Sequence, residues 1–206
     1  MSSTKAKKEQ LRIYGDYLTT PVEEIRKFLW FWNKTVRLKK FKTILDPCAG
    51  GLKKSSKKVQ LRKACLLPGT KMSYPQVLKQ FGCKNIITND IRKNSPARYH
   101  FDYLKQKGIF KVDLIITNPP FFFAEEIIEK ALKDVKIGGY VVMLLRLNFL
   151  GSKHRQKLWQ QYLPKQIFVH TVRMSFWPDG GVDSIEYMHC IWQKGFKGNT
   201  TLELIY

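Results

Sequence analysis

Apolar residues recur along this chain with two spacings, one typical of helices and the other typical of buried strands. Helical spacing follows Thr20-Pro21-Val22-Glu23, where Thr20 and Glu23 match a capping box and Pro21 suits the first helical position. Further helices are predicted over 74–81, 125–135 and 152–162, and strands over 43–46, 85–90, 112–117, 140–147, 167–174 and 185–192. Strands that alternate with helices predict an α/β protein whose mostly parallel sheet is covered by helices on both faces.

The last two strands and the polar segments define the expected domain organisation. A turn region at Asp179-Gly180-Gly181 joins these strands, so we expect them to form an antiparallel pair at the edge of the sheet. Residues 1–13 are expected to be a flexible basic tail, and residues 14–206 a single domain. Within this domain, residues 52–72 are a basic insertion with seven Lys or Arg residues and no Asp or Glu.

The chain carries a large excess of positive charge. Its 206 residues include 37 Lys and Arg against 16 Asp and Glu, which gives a formal net charge of +21. A charge of this size indicates a polyanionic partner, most simply nucleic acid. A lysine-rich composition without such a role is the alternative explanation.

The sequence disfavours membrane, disulfide-rich and metal-binding proteins. No apolar run approaches the ~18–20 residues of a membrane helix, and the N-terminus lacks the apolar core of a signal peptide. The four cysteines form no Cys-x-x-Cys pair, which argues for a reducing compartment and against a zinc site. The four histidines have no ligand spacing either. We therefore expect a cytoplasmic protein without a metal.

The tetrapeptide Asn118-Pro119-Pro120-Phe121 directly follows the predicted strand over 112–117. Two prolines remove two backbone donors and fix two φ angles, so the chain should leave the strand as a rigid, extended loop. The Asn118 side-chain oxygen and the Pro119 carbonyl are then acceptors without a competing N–H, and Phe121 adds a flat wall. Such a loop suits a planar group that carries an exocyclic NH₂.

Three further segments follow predicted strands and would line one crevice with this loop. Asp46-Pro47-Cys48-Ala49-Gly50-Gly51 allows a tight turn and a close approach of the backbone to a ligand. Asp90 is placed to bind ribose hydroxyls, and Asp102-Tyr103 could hold the edge and face of an adenine. Each also has a structural interpretation: a simple glycine turn, an acid in a loop, and a helix cap beside a core tyrosine.

With these motifs in this order, residues 14–195 resemble the S-adenosylmethionine-dependent methyltransferases that modify exocyclic amino groups. The nearest match is the adenine-specific DNA methyltransferases of compact phage or prophage type. The resemblance implies the Rossmann-like class I fold, with a seven-stranded, mostly parallel sheet, an antiparallel edge strand and S-adenosylmethionine as cofactor. It assigns catalysis to Asn118, Pro119, Pro120 and Phe121. It assigns cofactor binding to Thr20, Pro21, Asp46, Pro47, Cys48, Ala49, Gly50, Asp90, Ile91, Asp102, Tyr103 and Asn118.

The chain departs from the family pattern at two places. Its turn is Gly50-Gly51-Leu52 where Gly-x-Gly is commoner, and the basic insertion lengthens the interval between Asp46 and Asp90. We also expect no large target-recognition domain after Phe121.

Methylation of adenine in DNA is the expected activity, in a bacterial or phage-infected cell. We expect phosphate contacts from the basic insertion and further contacts from two later residues; this predicted set is Lys53, Lys54, Lys57, Lys58, Arg62, Lys63, Arg146 and Trp177. Similar loops serve enzymes that methylate adenine or guanine in ribosomal RNA, or glutamine amides in proteins. A basic nucleic-acid-binding module without catalysis is a further alternative.

Overall fold

The computed structural model describes residues 19–61, 64–66, 69–108, 110–176, 181–182 and 184–206. The helices are α1 (Val22–Thr35), α2 (Ser73–Gln80), α3 (Ala124–Asp134) and α4 (Gln156–Gln161). The strands are β1 (Ile44–Asp46), β2 (Val59–Leu61), β3 (Ala64–Leu66), β4 (Ile86–Thr88), β5 (Val112–Thr117), β6 (Val135–Arg146), β7 (Gln166–His170), β8 (Tyr187–Gln193) and β9 (Thr201–Ile205).

Seven of these strands form one mixed sheet in the order β4-β1-β5-β6-β8-β7-β9. The pairs from β4 to β6 are parallel, as is β7 with β9, whereas β8 runs antiparallel to both of its neighbours, β6 and β7. The mostly parallel α/β architecture and the antiparallel pairing of the last two predicted strands are thus confirmed. Strand β9 was not predicted, and it lies outside β7 as the edge of the sheet.

Alternation along the central strands sorts their side chains onto two buried faces. In β5, Leu114 and Ile116 pack with α1 and α2, whereas Ile115 between them packs with α3. Strand β6 repeats the pattern, with Val142 on the first face and Met143 on the second. Because successive strand residues point to opposite sides, an apolar run such as this can fill both layers of a three-layer fold.

The start of α1 differs from the sequence-based prediction. The predicted capping box is wrong, because Pro21 is the N-cap residue and no side chain bonds to the first turn. Glu23 pairs with Arg26, and the hydroxyl of Thr20 accepts a hydrogen bond from the side chain of Asn118. Thr20 therefore connects α1 to the loop after β5.

The basic insertion contains the β2–β3 hairpin, a two-stranded antiparallel sheet separate from the main one. Its base is held by Leu52, whose N–H donates to the Thr70 carbonyl and whose carbonyl accepts from Gly69. Both bonds are 2.8 Å long. The insertion therefore leaves and re-enters the fold at one point, directly after the glycine turn. The predicted tail at 1–13 lies outside the described residues.

Candidate active site

A cavity of about 270 Å³ lies at the carboxyl ends of β1, β4 and β5. This volume is close to the lower end of the range for small-molecule sites, roughly 300–1,000 Å³. The predicted residues that line the cavity are Thr20, Pro47, Cys48, Ala49, Gly50, Asp90, Ile91, Asp102, Tyr103, Asn118 and Pro120. Pro21, Asp46, Pro119 and Phe121 do not line it, although each neighbours a residue or segment that does.

The glycine turn brings backbone to the cavity wall. Gly50 and Gly51 have φ angles of 71° and 76°, in the region that side-chain-bearing residues rarely adopt. A Cβ atom on Gly51 would come within 2.8 Å of the Pro96 ring and 2.9 Å of the Thr70 carbonyl oxygen. Glycine is therefore required at Gly51 by both conformation and space.

A buried ion pair between Asp90 and Arg92 binds the backbone of this turn. Asp90 accepts from the Gly50 N–H at 2.8 Å and from the Nε of Arg92 at 3.0 Å. Arg92 also donates from its backbone N–H to Asp90 and from Nη2 to Asp90 and to the carbonyl of Gly51. In this arrangement both carboxylate oxygens of Asp90 have partners. A ribose contact by Asp90 stays a prediction, and the structure gives the residue a role in fixing the turn.

Asp46, at the end of β1, is completely buried beneath the cavity lining. Its Oδ1 accepts from the Thr117 hydroxyl at 2.7 Å and from the Cys48 N–H at 3.2 Å, whereas Oδ2 has no partner among the described residues. Burial disfavours the charged form and raises the pKa of this carboxyl from 3.8 to about 7, although the hydrogen bonds oppose the shift.

The predicted adenine-binding pair, Asp102 and Tyr103, also lines the cavity. Asp102 accepts from the Leu104 N–H and lies 3.6 Å from the ammonium of Lys105. Tyr103 is buried, and its hydroxyl donates to Asp134 at 2.7 Å. The ring of Tyr103 is thus fixed in the core while it forms part of the wall. A contact with adenine remains a prediction for both residues.

The loop after β5 presents an acceptor without a partner. The Nδ2 of Asn118 donates to the Thr20 hydroxyl at 3.0 Å, whereas its Oδ1 is buried and has no partner among the described residues. The short turn that follows uses the carbonyls of Pro120 and Phe121 as acceptors. The Pro119 carbonyl accepts no hydrogen bond among the described residues. Unused acceptors at one strand end suit a ligand that donates two hydrogens.

Phe121 does not line the cavity and packs instead against the cluster that contains Tyr187. Its ring centroid is 5.9 Å from that of Tyr187, and the guanidinium of Arg146 lies 4.8 Å from the ring. The fold thus brings together one predicted catalytic residue and one predicted nucleic-acid contact that are 25 positions apart in the sequence.

The basic insertion begins directly after the glycine turn at the cavity. Lys53, Lys54, Lys57 and Lys58 are exposed, and the Lys53 ammonium donates to the Lys93 carbonyl. Three other members of the predicted nucleic-acid set, Arg62, Lys63 and Trp177, lie outside the described residues.

Sequence reasoning missed several residues of the cavity. Ser73 and Tyr74, from the first turn of α2, line it together with Arg92, Phe101 and Phe123. Phe123 belongs to the aromatic run that starts at Phe121, and this run was a usable signal. Tyr74 gave no local signal, because its position depends on how α2 returns to the sheet after the basic insertion.

Comparisons with known proteins give structural but no sequence matches: no protein-family model and no curated protein matches this chain. A provisionally assigned class I S-adenosylmethionine-dependent methyltransferase from Listeria monocytogenes is 14% identical, with a TM-score of 0.59, over 91% of this chain and 65% of that one. A provisionally assigned RNA methyltransferase from Pyrococcus horikoshii is 12% identical, with a TM-score of 0.62, over 89% and 90%.

The methyltransferase subunit of a type I restriction-modification system from Streptococcus thermophilus is also similar. It is 11% identical, with a TM-score of 0.54, over 87% of this chain and 45% of that one. The chain therefore spans less than two thirds of the Listeria protein and less than half of the restriction-modification subunit. At these identities the comparisons show the fold: the chain has the class I methyltransferase fold.

Two negative observations concern the described residues alone. None of their helices is both long and apolar enough to cross a membrane. No group of three or more His, Cys, Asp or Glu side chains among them is arranged to hold a metal ion.

Proposed function

We propose that this chain is an S-adenosylmethionine-dependent methyltransferase that methylates the exocyclic amino group of adenine in DNA. The buried, unpartnered Oδ1 of Asn118 carries the proposal. It lies in an Asn-Pro-Pro-Phe loop at the carboxyl end of a central strand, where open α/β sheets bind their ligands. The class I methyltransferase fold supplies the framework for this chemistry.

The residues of the cavity fit the cofactor. The glycine turn offers backbone at the wall, while Ile91, Phe101 and Phe123 add apolar surface. Asp90 and Asp102 line the cavity together with their cationic partners Arg92 and Lys105, and the carboxyl of Asp46 is buried next to the lining residue Pro47. When bound, S-adenosylmethionine supplies an electrophilic methyl group on a positively charged sulfur. The carboxyl of Asp46, which forms none of the ion pairs described here, favours a ligand with positive charge when it is ionised.

Asn118 and Pro119 orient the amino group that is to be methylated. The lone pair of an adenine amino group is delocalised into the ring, which makes the nitrogen a poor nucleophile. Hydrogen bonds from its two hydrogens to Asn118 Oδ1 and to the Pro119 carbonyl favour a tetrahedral nitrogen with an available lone pair. The bond to Thr20 fixes the Asn118 amide in the orientation this requires. Positioning and hydrogen bonding then account for most of the rate enhancement.

The surface around Phe121 suits the target base. A base in a duplex must be flipped out of the stack to reach such a loop. The Phe121 ring, supported by Tyr187, would stack on it, and such a stack contributes about 1–3 kcal/mol. Arg146 and the exposed lysines of the insertion would bind phosphates, which gives affinity without sequence preference.

RNA is the second candidate substrate, because the net charge of +21 suits either nucleic acid and the Pyrococcus neighbour is assigned to RNA. The test is methyl transfer from labelled S-adenosylmethionine to duplex DNA, single-stranded DNA, ribosomal RNA and a protein extract in parallel. Methyl-adenine in DNA is the expected product. Label only in RNA or protein would refute the DNA substrate, and no transfer despite cofactor binding would refute the activity on these substrates.

The role of Asn118 is tested by Asn118→Ala, which we expect to reduce turnover about 100-fold or more while cofactor binding is retained. Asn199→Ala, in an exposed loop before β9, is the matched control and should turn over normally. Turnover of Asn118→Ala at the rate of the control would remove Asn118 from the proposed mechanism.

A further inference from the structure

The end of the sheet opposite the cavity carries a second concentration of positive charge. The strand register brings several segments to this end: Ile44 pairs with Ile86 and Leu114, and Leu114 pairs with Tyr140. Tyr140 pairs in turn with Gln193, and the first residues of β7 and β9 follow on the far side of β8. We call the surface formed at this end the amino-end surface; its segments are 33–43, 81–85, 110–113, 133–139, 164–166 and 193–200.

These segments contain twelve basic residues and only two acidic ones. The basic residues are Lys34, Arg37, Lys39, Lys40, Lys42, Lys84, Lys111, Lys133, Lys136, Lys165, Lys194 and Lys197. Of the two acids, Asp134 is 1% exposed, and Asp113 pairs with Lys136 at 2.7 Å. The whole chain has 37 basic and 16 acidic residues, so a lysine-rich composition does not by itself account for the scarcity of acids at this end.

Contacts between the segments join them into one surface. Asp113 accepts hydrogen bonds from the backbone N–H of Lys42 at 2.8 Å and from the ammonium of Lys136 at 2.7 Å. The ammonium of Lys194 donates to the carbonyl of Lys133 at 2.9 Å. The positive charges are therefore carried by segments that the sheet and these bonds hold together.

Four of the lysines form a row along the starts of adjacent strands. Lys84, Lys42, Lys111 and Lys133 lie within two residues of the first residue of β4, β1, β5 and β6, which are neighbours in that order. All four side chains are exposed, and none forms an ion pair in the described part of the chain. Neighbouring strands are about 4.8 Å apart, so the row spans roughly 14 Å. A DNA duplex carries one negative charge per about 1.7 Å of its axis, so several phosphates fall within this length.

The composition of the surface favours nucleic acid over an acidic protein. Protein interfaces have an apolar centre that becomes fully buried. Within the segments of the amino-end surface, Ile137 is the one large apolar side chain that is mostly exposed, whereas Leu38, Phe41 and Val112 are buried. A surface of lysines with a single exposed apolar residue suits a backbone of closely spaced phosphates.

DNA bound at the cavity does not reach the row of lysines. The six residues of β5 separate the row from the loop at Asn118, which corresponds to about 20 Å. The persistence length of DNA is about 150 bp, so a short duplex does not bend around the sheet to contact both ends. The row is thus available to a different segment of nucleic acid.

We propose that the amino-end surface binds the phosphate backbone of a second segment of duplex DNA while a first segment lies at the cavity. Only the choice of duplex DNA rests on the proposed function, because the charge pattern itself requires no methyl transfer. Phosphate contacts give affinity without sequence preference. On a long DNA molecule the second contact keeps the chain attached, because a linked segment is present at high local concentration.

Titration with a duplex of about 12 bp, followed by native mass spectrometry at low salt, tests the proposal. The original chain should bind two duplexes. The row variant, in which Lys42, Lys84, Lys111 and Lys133 are replaced by Gln, should bind one, with the second event weakened about 100-fold or more. Because all four side chains are exposed, these substitutions should leave the fold intact.

The matched control removes the same number of charges from the basic insertion. This insertion variant replaces Lys53, Lys54, Lys57 and Lys58 by Gln, and it should weaken binding at the cavity while it keeps the event that the row variant lacks. Combining the two sets should remove both events. A single duplex on the original chain, or two duplexes bound with unchanged affinity by the row variant, would overturn the proposal.

The same titration with an RNA duplex and with polyglutamate distinguishes other polyanions. A second event with RNA and none with DNA would refute the choice of DNA. Polyglutamate that bound in preference to DNA, and that lost its binding in the row variant, would overturn the proposal in favour of an acidic protein.

The two proposals fail in different ways. If the row variant loses the second duplex but the original chain methylates no substrate, the proposed function is refuted and the second binding surface stands. If the original chain methylates adenine in DNA but the row variant still binds two duplexes, the second surface is refuted and the proposed function stands.

Discussion

Replacing Asp46 by Asn should stabilise the protein at pH 8 and reduce the pH dependence of its stability. The pKa of Asp46 rises from 3.8 to about 7 on folding, because burial disfavours the charged carboxylate. The folded state therefore binds the proton more tightly than the unfolded state, and stability falls as the pH rises from 3.8 through 7. Each pKa unit corresponds to about 1.4 kcal/mol, which gives a total of about 4 kcal/mol.

Between pH 5 and pH 8 the unfolded carboxyl is ionised throughout, while the folded one loses its proton. This interval should contribute a loss of roughly 3 kcal/mol in the free energy of unfolding, which the Asp46→Asn variant cannot show because its amide does not titrate. Urea titrations of both proteins at pH 5 and pH 8 measure the difference. The same pH dependence in the variant and in the original chain would refute the reasoning.

Asp113 provides a control of opposite sign. Burial opposes its ionisation, but hydrogen bonds from Lys136 and from the backbone of Thr43 and Lys42 lower its pKa below 3.8. Its contribution to stability is therefore complete at pH 5 and lost only at lower pH. Asp113→Asn should cost similar stability at pH 5 and pH 8, so a pH-dependent difference is specific to Asp46.

Two further predictions concern the support of the glycine turn. Gly51→Ala should destabilise the fold and abolish cofactor binding, because its Cβ would clash with Pro96 and Thr70. Gly108→Ala has a similarly positive φ but no atom within 4 Å, so it should lower the free energy of unfolding only by the backbone strain of about 1–2 kcal/mol. Thermal melts compare the stability of the two variants, and calorimetry compares their cofactor binding. Arg92→Met should lower the free energy of unfolding by about 3–5 kcal/mol, because it leaves the Asp90 carboxylate buried without its cation. The midpoint of a urea titration measures this loss, and an unchanged midpoint would contradict the prediction.

The central layers of the fold were predictable because each element carries its own pattern. Apolar runs bounded by polar turns located β1, β5 and most of β6, since strands buried on both faces need few polar residues. Strand β9 lacks this pattern: Leu202 and Leu204 are more than half exposed, and Ile205 is its one buried residue. An edge strand with one half-covered face gives too weak a signal to be recognised from sequence.

The candidate site was predictable where function depends on local backbone chemistry. The loop at Asn118 could be identified because two prolines restrict its conformation wherever it occurs. Interactions across the fold could not be identified in this way. Tyr74 and His189 are 115 positions apart, and no local pattern relates them. Asp90 and Arg92 are close in sequence, but only the fold shows that they form hydrogen bonds with the backbone of Gly50 and Gly51.

The stability cost at Asp46 and the proposed binding of a cation are two consequences of one arrangement. A buried carboxylate with an unpartnered oxygen destabilises the folded chain above pH 7, and it also places a negative charge next to Pro47 and Cys48, which line the cavity. A bound cation offsets the cost, because opposite charge favours the ionised carboxyl and lowers its pKa. We therefore expect Asp46→Asn to gain stability at pH 8 and to lose affinity for S-adenosylmethionine. A variant that gained both would show that the buried charge serves no ligand.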